Sequence, residues 1–187
     1  MRAPRVVLGC KAESSNPGCM TNMNIRRYRP GDEESLWQLY HDTTHIINGT
    51  DYTPEQCERW APAEVDMPKW RERIRAKNPF VAEDNGQILG FGELEHDGHI
   101  DYFYCHHEHQ RRGVGSMLYE AIEREARELK IPCLHAAVSM TAKGFFLRMG
   151  FQVVKEQRNI VCGAVAPNFI MRKELTANKP VEPTPAR

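Results

Sequence analysis

The chain has 187 residues, 41 % apolar and 27 % charged, and its 25 Lys+Arg balance its 25 Asp+Glu. That length suits one ordinary domain with its own core and is too short for two. Zero formal net charge excludes the broad basic face that gripping nucleic acid requires, and no apolar run nears the roughly 20 residues that cross a bilayer.

In chain order, Met1 to Leu8 is basic and then apolar, but Val6-Val7-Leu8 is far shorter than a signal peptide's apolar region of about 7–15 residues. A cytoplasmic protein with no membrane partner is expected. Residues 1–22 show no apolar period and read as a disordered leader; residues 23–175 form the domain, and the proline-bearing segment 176–187 a disordered tail. Alternation over Met23–Arg29 predicts a strand, and Pro30-Gly31-Asp32 a turn that caps a helix bearing Leu36, Leu39, Tyr40 and Thr43 on one face. Thr53-Pro54-Glu55 caps a short helix to Trp60, and Met67–Lys77 reads as another.

Phe80–Glu83 and Gln87–Leu94 are predicted strands joined by the hairpin turn Asp84-Asn85-Gly86. Asp97-Gly98 turns into a third strand, His99–His106, which completes an antiparallel meander. The strongest helix follows: Val114, Met117, Leu118, Ala121, Ile122 and Leu129 share a stripe, and Ile131-Pro132 stops it. Cys133–Val138 reads as a buried strand and Thr141–Met149 as a helix ended by Gly150. Phe151–Val161 and Phe169–Leu175 close the domain, with a break expected at Pro167-Asn168.

The loop between the third meander strand and the long helix carries the clearest chemistry. In Gln110-Arg111-Arg112-Gly113-Val114-Gly115, two glycines at a helix start let backbone approach a ligand, and the first-turn amides with the helix dipole attract an anion. Arg111 and Arg112 add charge, so the loop suits a pyrophosphate. It is neither GxGxxG nor a P-loop, and spacing alone leaves a plain structural turn equally open. The six cysteines, Cys10, Cys19, Cys57, Cys105, Cys133 and Cys162, have no metal or redox spacing and read as reduced structural thiols. His96, His99, His106, His107 and His109 crowd one stretch, but adjacent strand residues face opposite ways, so no metal site is expected.

Gln110–Gly115 resembles the Q/RxxGxG/A motif of the GCN5-related N-acetyltransferase (GNAT) superfamily. Ile100–His106 is similar to that family's central strand, and Ala142-Lys143-Gly144-Phe145-Phe146-Leu147-Arg148-Met149-Gly150-Phe151 to its A-x-x-F-Y-x-x-x-G-F segment. The resemblance implies an α+β acyl-CoA N-acyltransferase fold. This is an α/β/α sandwich whose mixed, largely antiparallel sheet splays between two central parallel strands, His99–His106 and Cys133–Val138. It implies acetyl-CoA in that splay, held by backbone near Phe103, Tyr104 and Cys105, by Gln110, Arg111, Arg112, Gly113, Val114, Gly115 and Ser116 at the pyrophosphate, and by Ala142, Phe145 and Phe146 near the thiol.

The implied activity is acetyl transfer to a primary amine of a small molecule or a protein, by a monomer or homodimer; the alternative is an acyl-CoA-binding module with little catalysis. The family's usual tyrosine acid is replaced here by Phe146. A coenzyme thiol with a pKa near 8.5 can leave unaided, or Ser139, Tyr104 or water supplies the proton. Glu93, in the strand before the central one, is the candidate base, acting directly or through water, with an ordinary surface carboxylate of the sheet as the other reading. Asp51 is either an acceptor-attracting carboxylate or a solvated loop acid, and Trp37, Trp60 and Trp70 read as packing.

Overall fold

The computed structural model describes residues 6–7, 22–161 and 164–175; the expected tail and most of the expected leader lie outside these. One eight-stranded mixed sheet runs in the order β2-β3-β4-β5-β1-β6-β8-β7. Its strands are β1 (Val6–Val7), β2 (Asn24–Arg27), β3 (Phe80–Asp84), β4 (Gln87–Leu94), β5 (His99–Cys105), β6 (Cys133–Ser139), β7 (Gln152–Val161) and β8 (Ala164–Glu174). Helices α1 (Glu33–Ile46), α2 (Pro54–Trp60) and α3 (Met67–Lys77) precede the meander, and α4 (Val114–Glu128) and α5 (Met140–Arg148) flank β6 in sequence.

Local chemistry sets the boundaries. Thr53 and Gln56 form a reciprocal capping box with Pro54 in the first turn of α2. Asp66 caps α3, which ends on the left-handed Asn78. Asn85 and Gly86 both have positive φ, as a primed hairpin turn between β3 and β4 demands.

Each face of the sheet buries its own apolar stripe. Leu36, Leu39 and Tyr40 of α1 and Trp70 and Ile74 of α3 pack on Val81, Phe91, Tyr102 and Tyr104. Opposite them, Val114, Leu118 and Ile122 of α4 with Phe145 and Phe146 of α5 pack on Ala82, Leu89, Phe103 and Val138. Full burial of each such aliphatic side chain contributes about 1.5–3 kcal/mol. Gly90 lets α4 lie close: a Cβ there would meet the Tyr104 carbonyl at 2.8 Å and the Leu118 and Val114 side chains at 3.0 Å.

The central feature is the parting of two parallel strands. β5 and β6 pair directly only at His99↔His135 and Ile100↔Ala136. Beyond that closed end they separate, and β1 lies between them, parallel to both, at Val6↔Phe103, Val7↔Tyr104 and Val6↔Val138. Two residues of the leader are therefore ordered as a strand.

One expected boundary is corrected. β8 does not break at Pro167-Asn168 but runs through it, with Pro167 paired to Arg158 of β7 and Asn168 the first residue paired to β6, at Ser139. Pro167 thus stands just past the end of β6, where its missing N–H leaves no ladder bond unmade on that side.

Candidate active site

The open end of the splay leads into the β5–α4 loop. After Cys105 the chain leaves the sheet for a 3-10 turn, His107–His109, then Arg111 at φ 66° and Gly113 at φ 87° before α4 begins. Left-handed residues near a helix start turn successive N–H groups outward into an anion-receiving concavity, and α4 adds its unpaired amides and the positive end of its dipole. Gly113 needs its missing side chain for the backbone angle rather than for room, since a Cβ there meets nothing within 4 Å.

Gln110 braces this loop. Its Nε2 donates to the Cys105 carbonyl at 2.8 Å and the His106 carbonyl at 3.1 Å, which ties the turn to the end of β5. Cys105, His109, Gln110, Arg111, Gly113, Val114, Gly115, Ser116, Phe145 and Arg148 line a cleft of about 250 Å³ here. Cys105, Gln110, Arg111, Gly113, Val114, Gly115, Ser116 and Phe145 of the predicted set therefore line one cleft at the end of β5, whereas Phe103, Tyr104 and Arg112 are not among its lining residues. Ala142 and Phe146 do not line it among the described residues. Ala142 is buried in the core, and Phe146 is fully buried, with its ring 4.9 Å from that of Phe151 and 5.8 Å from that of Phe103.

Ser139 sits at the end of β6, fully buried, and its Oγ accepts from the Ala142 amide to cap α5. Glu93 lies near the closed end of the splay, between Gly92↔Phe103 and Leu94↔Ile100. Both of its oxygens accept from the Arg73 guanidinium, one from Nη2 at 2.7 Å, and that same Nη2 donates to Asp101 at 3.0 Å. Burial pushes the Glu93 carboxyl above the usual carboxylate range, and Arg73 pulls the other way. Asp51 is exposed and accepts from the Thr141 hydroxyl at 2.6 Å.

The histidine geometry differs from the expectation. His106 and His107 do not face apart, because the strand has already ended: their rings stack with centroids 4.6 Å apart. Their ligating atoms and a Glu108 oxygen lie within 4.8 Å of one another. Burial lowers the His106 pKa, with further lowering from His107 and His109.

Beyond Asp51, sequence reasoning left the α1–α2 side of the sheet unresolved. The Tyr52 hydroxyl donates to the Pro167 carbonyl at 2.8 Å and accepts from the Met140 amide at 2.9 Å, so it links the α1–α2 region to the end of β6 and to β8. Thr43 donates to the Cys105 carbonyl at 3.0 Å and ties α1 to the end of β5. A polar residue on a helix's apolar stripe, as Thr43 is, was the one available signal.

Residues 48–173 match the family model described as "Acetyltransferase (GNAT) domain". The chain belongs to this family. A GNAT relative, the "Uncharacterized N-acetyltransferase YafP" of Escherichia coli (strain K12), is 36 % identical over 154 residues, which cover 82 % of this chain and 97 % of the relative. Among solved structures, a GCN5-related N-acetyltransferase from Rhodopseudomonas palustris superposes with a TM-score of 0.78 at 28 % identity, covering 86 % of this chain and all of that one. The putative acetyltransferase yncA of Salmonella typhimurium, solved with acetyl-CoA, shares the fold with a TM-score of 0.67 at 19 % identity, covering 88 % of this chain and all of its own. The chain is a GNAT-type acetyltransferase with the α/β/α fold and parted central strands expected of that family.

Proposed function

We propose that this GNAT enzyme moves the acetyl group of acetyl-CoA to a primary amine, with the coenzyme lying in the splay between β5 and β6. The observation that carries the reading is the continuity of two features. The parallel strands β5 and β6 part around the two residues of β1, and the end of β5 leads directly into the glycine-bearing loop and cleft at the start of α4. A pantetheine arm has amides spaced along an extended chain, and the gap already pairs with an extended backbone at Phe103, Tyr104 and Val138. A diphosphate suits the amides of Gly113 to Ser116 with Arg111 and Arg112 nearby.

In this arrangement, main-chain groups near Phe103, Tyr104 and Cys105 orient the thioester. The acceptor nitrogen attacks its carbonyl carbon, the C–S bond breaks with its electron pair on sulfur, and the nitrogen gives up a proton. Phe146, sealed in the core, has no proton to offer the leaving sulfur. A thiolate whose conjugate acid has a pKa near 8.5 leaves without one, and the Ser139 hydroxyl, which caps α5 through its oxygen, still carries a proton at the end of β6. We assign Glu93 to an ion pair that locks α3 to the sheet, since both its oxygens are given to Arg73, and not to proton abstraction. The amine's own neutral fraction supplies the nucleophile, so rate rises with pH toward the acceptor's pKa.

Gly115→Glu tests the coenzyme site. It places bulk and negative charge in the first turn of α4 and should abolish acetyl-CoA binding in calorimetry while leaving the melting cooperative. Unchanged affinity in a folded variant removes the loop from the site. Thiol release from acetyl-CoA with a panel of amines, set against the hydrolysis background, tests the transfer itself.

A further inference from the structure

The search for chemistry outside the coenzyme cleft leads to the opposite face of the sheet. On α1, Tyr40 and Thr44 stand one turn apart, and Asn48 continues the same stripe in the 3-10 turn that follows. Thr44 and Asn48 are fully buried. The Tyr40 hydroxyl donates to the Trp60 carbonyl, so this stripe faces the end of α2. On β8, Phe169 and Met171 face the α4–α5 core, and Asn168 therefore faces the α1–α2 side, opposite Ser139 in the ladder. It too is fully buried.

Tyr52 joins these pieces. Its amide donates to the Asn48 carbonyl at 2.9 Å, its ring lies 4.4 Å from that of Trp60, and its hydroxyl donates to the carbonyl of Pro167, the neighbour of Asn168. Near this tyrosine and on the adjoining turn of α1, six buried side-chain atoms have no hydrogen-bond partner among the described residues: Thr44 Oγ1, Asn48 Oδ1 and Nδ2, Trp60 Nε1, and Asn168 Oδ1 and Nδ2. A buried polar group left unmatched costs about 1–3 kcal/mol, and buried polar groups are rarely left so. These six atoms, from α1, the 3-10 turn after it, α2 and β8, lie where Tyr52 reaches the end of β6, and a polar ligand group brought against them would match them.

We infer that Thr44, Asn48, Trp60 and Asn168 bind the acceptor through an uncharged hydrogen-bonding group, an amide or hydroxyl carried close to the reacting amine. The inference rests on the transferase reading above. The six atoms offer both donors and acceptors and no charge. The carboxylate next to Tyr52 in the chain, Asp51, is exposed and engaged by Thr141, and His45 directs Nε2 to the Ala61 carbonyl at 2.8 Å. A carboxylate placed against these groups would lose its hydration without a counter-charge, and a plain alkyl chain would leave the asparagines unmatched. Both classes are disfavoured by the same surface.

The test measures kcat/KM of the full chain with acetyl-CoA for glycinamide, ethanolamine, propylamine and glycine. Glycinamide and ethanolamine should exceed propylamine and glycine by about 10- to 100-fold, the range that one or two unmatched buried groups produce. Asn168→Leu and the near-isosteric Thr44→Val should erase that preference and leave acetyl-CoA affinity unchanged. Because each removes a polar group without a protein partner, each should hold or raise the melting temperature, which a merely structural hydrogen bonder would not do. Equal turnover of all four amines, or variants that keep the preference, overturns this inference alone. With acetyl-CoA bound, turnover of none of the four overturns this inference, and thiol release no faster than the hydrolysis background across the whole amine panel overturns the transferase reading.

Discussion

Arg73→Met should be among the most damaging single substitutions away from the coenzyme cleft. Glu93 and Asp101 are 1 % and 2 % exposed, and Arg73 of α3 holds both. Removing the guanidinium leaves two carboxylates in the sheet without that counter-charge, a change that costs about 3–5 kcal/mol when a buried pair is broken from one side. For a domain of this size each kcal/mol moves the midpoint by roughly 2–4 °C, so thermal denaturation should shift down by roughly 6–20 °C. Glu93→Gln keeps the shape but turns an amide toward a guanidinium that needs acceptors, at about 1–3 kcal/mol. In a double-mutant cycle the two changes should couple by more than about 1 kcal/mol, because the second no longer strands a partner. Activity separates this role from proton abstraction: below its midpoint, Glu93→Gln should keep kcat within about tenfold and an unaltered pH profile. A loss of 10²–10⁴ in kcat, the scale of a missing general base, with the midpoint unmoved would refute the ion-pair assignment.

Gly90→Ala forces a methyl to within 2.8 Å of the Tyr104 carbonyl; it should destabilise by about 1–3 kcal/mol in urea titration, and a neutral result would mean that α4 yields easily. Glu123 is partly desolvated, yet Lys173, Tyr119 and Arg127 hold its pKa at about 2, against 4.5 for the free side chain. A depressed carboxylate stabilises the fold above its unfolded pKa, so this contribution should fade as pH falls from about 4.5 toward 2; solvent screening cuts the nominal value to about 1 kcal/mol. In Glu123→Gln the acid-side slope of stability should flatten, and an unchanged slope excludes the group. A chain beginning at Met23 lacks Val6–Val7, which pair inside the splay; its acetyl-CoA dissociation constant should fall by about 2- to 10-fold if that strand and the coenzyme share the gap, and equal constants would show that they do not.

Most of the framework was legible because its signals are local. The α4 stripe, the capping residues Thr53 and Asp66, and the Asn85-Gly86 turn each act within a few residues, and the structure places those elements within one or two residues of their predicted ends. The turn into α4 was legible for the same reason, as glycines at a strand-to-helix junction. What stayed hidden depends on partners far apart in the chain. Arg73 meets Glu93 and Asp101 across 20 and 28 residues, and Asn48 and Asn168 share a face through Tyr52, whose bond to Pro167 spans 115. Pro167 read as a strand breaker, and only the register shows that β6 stops before reaching it. His106 read as the strand's last residue, although the chain turns one position sooner.

The sheet between the two buried faces works as a partition, and among the described residues its slit is the gap where β5 and β6 part around β1. Helices α4 and α5 border the slit on one side, and α1 with α2 on the other. On the proposed reading the two substrates arrive by separate doors and meet only at the thioester, so neither obstructs the other's entry. Initial-rate plots should then intersect, as for a ternary complex, and each product should inhibit competitively only against the substrate whose door it leaves by.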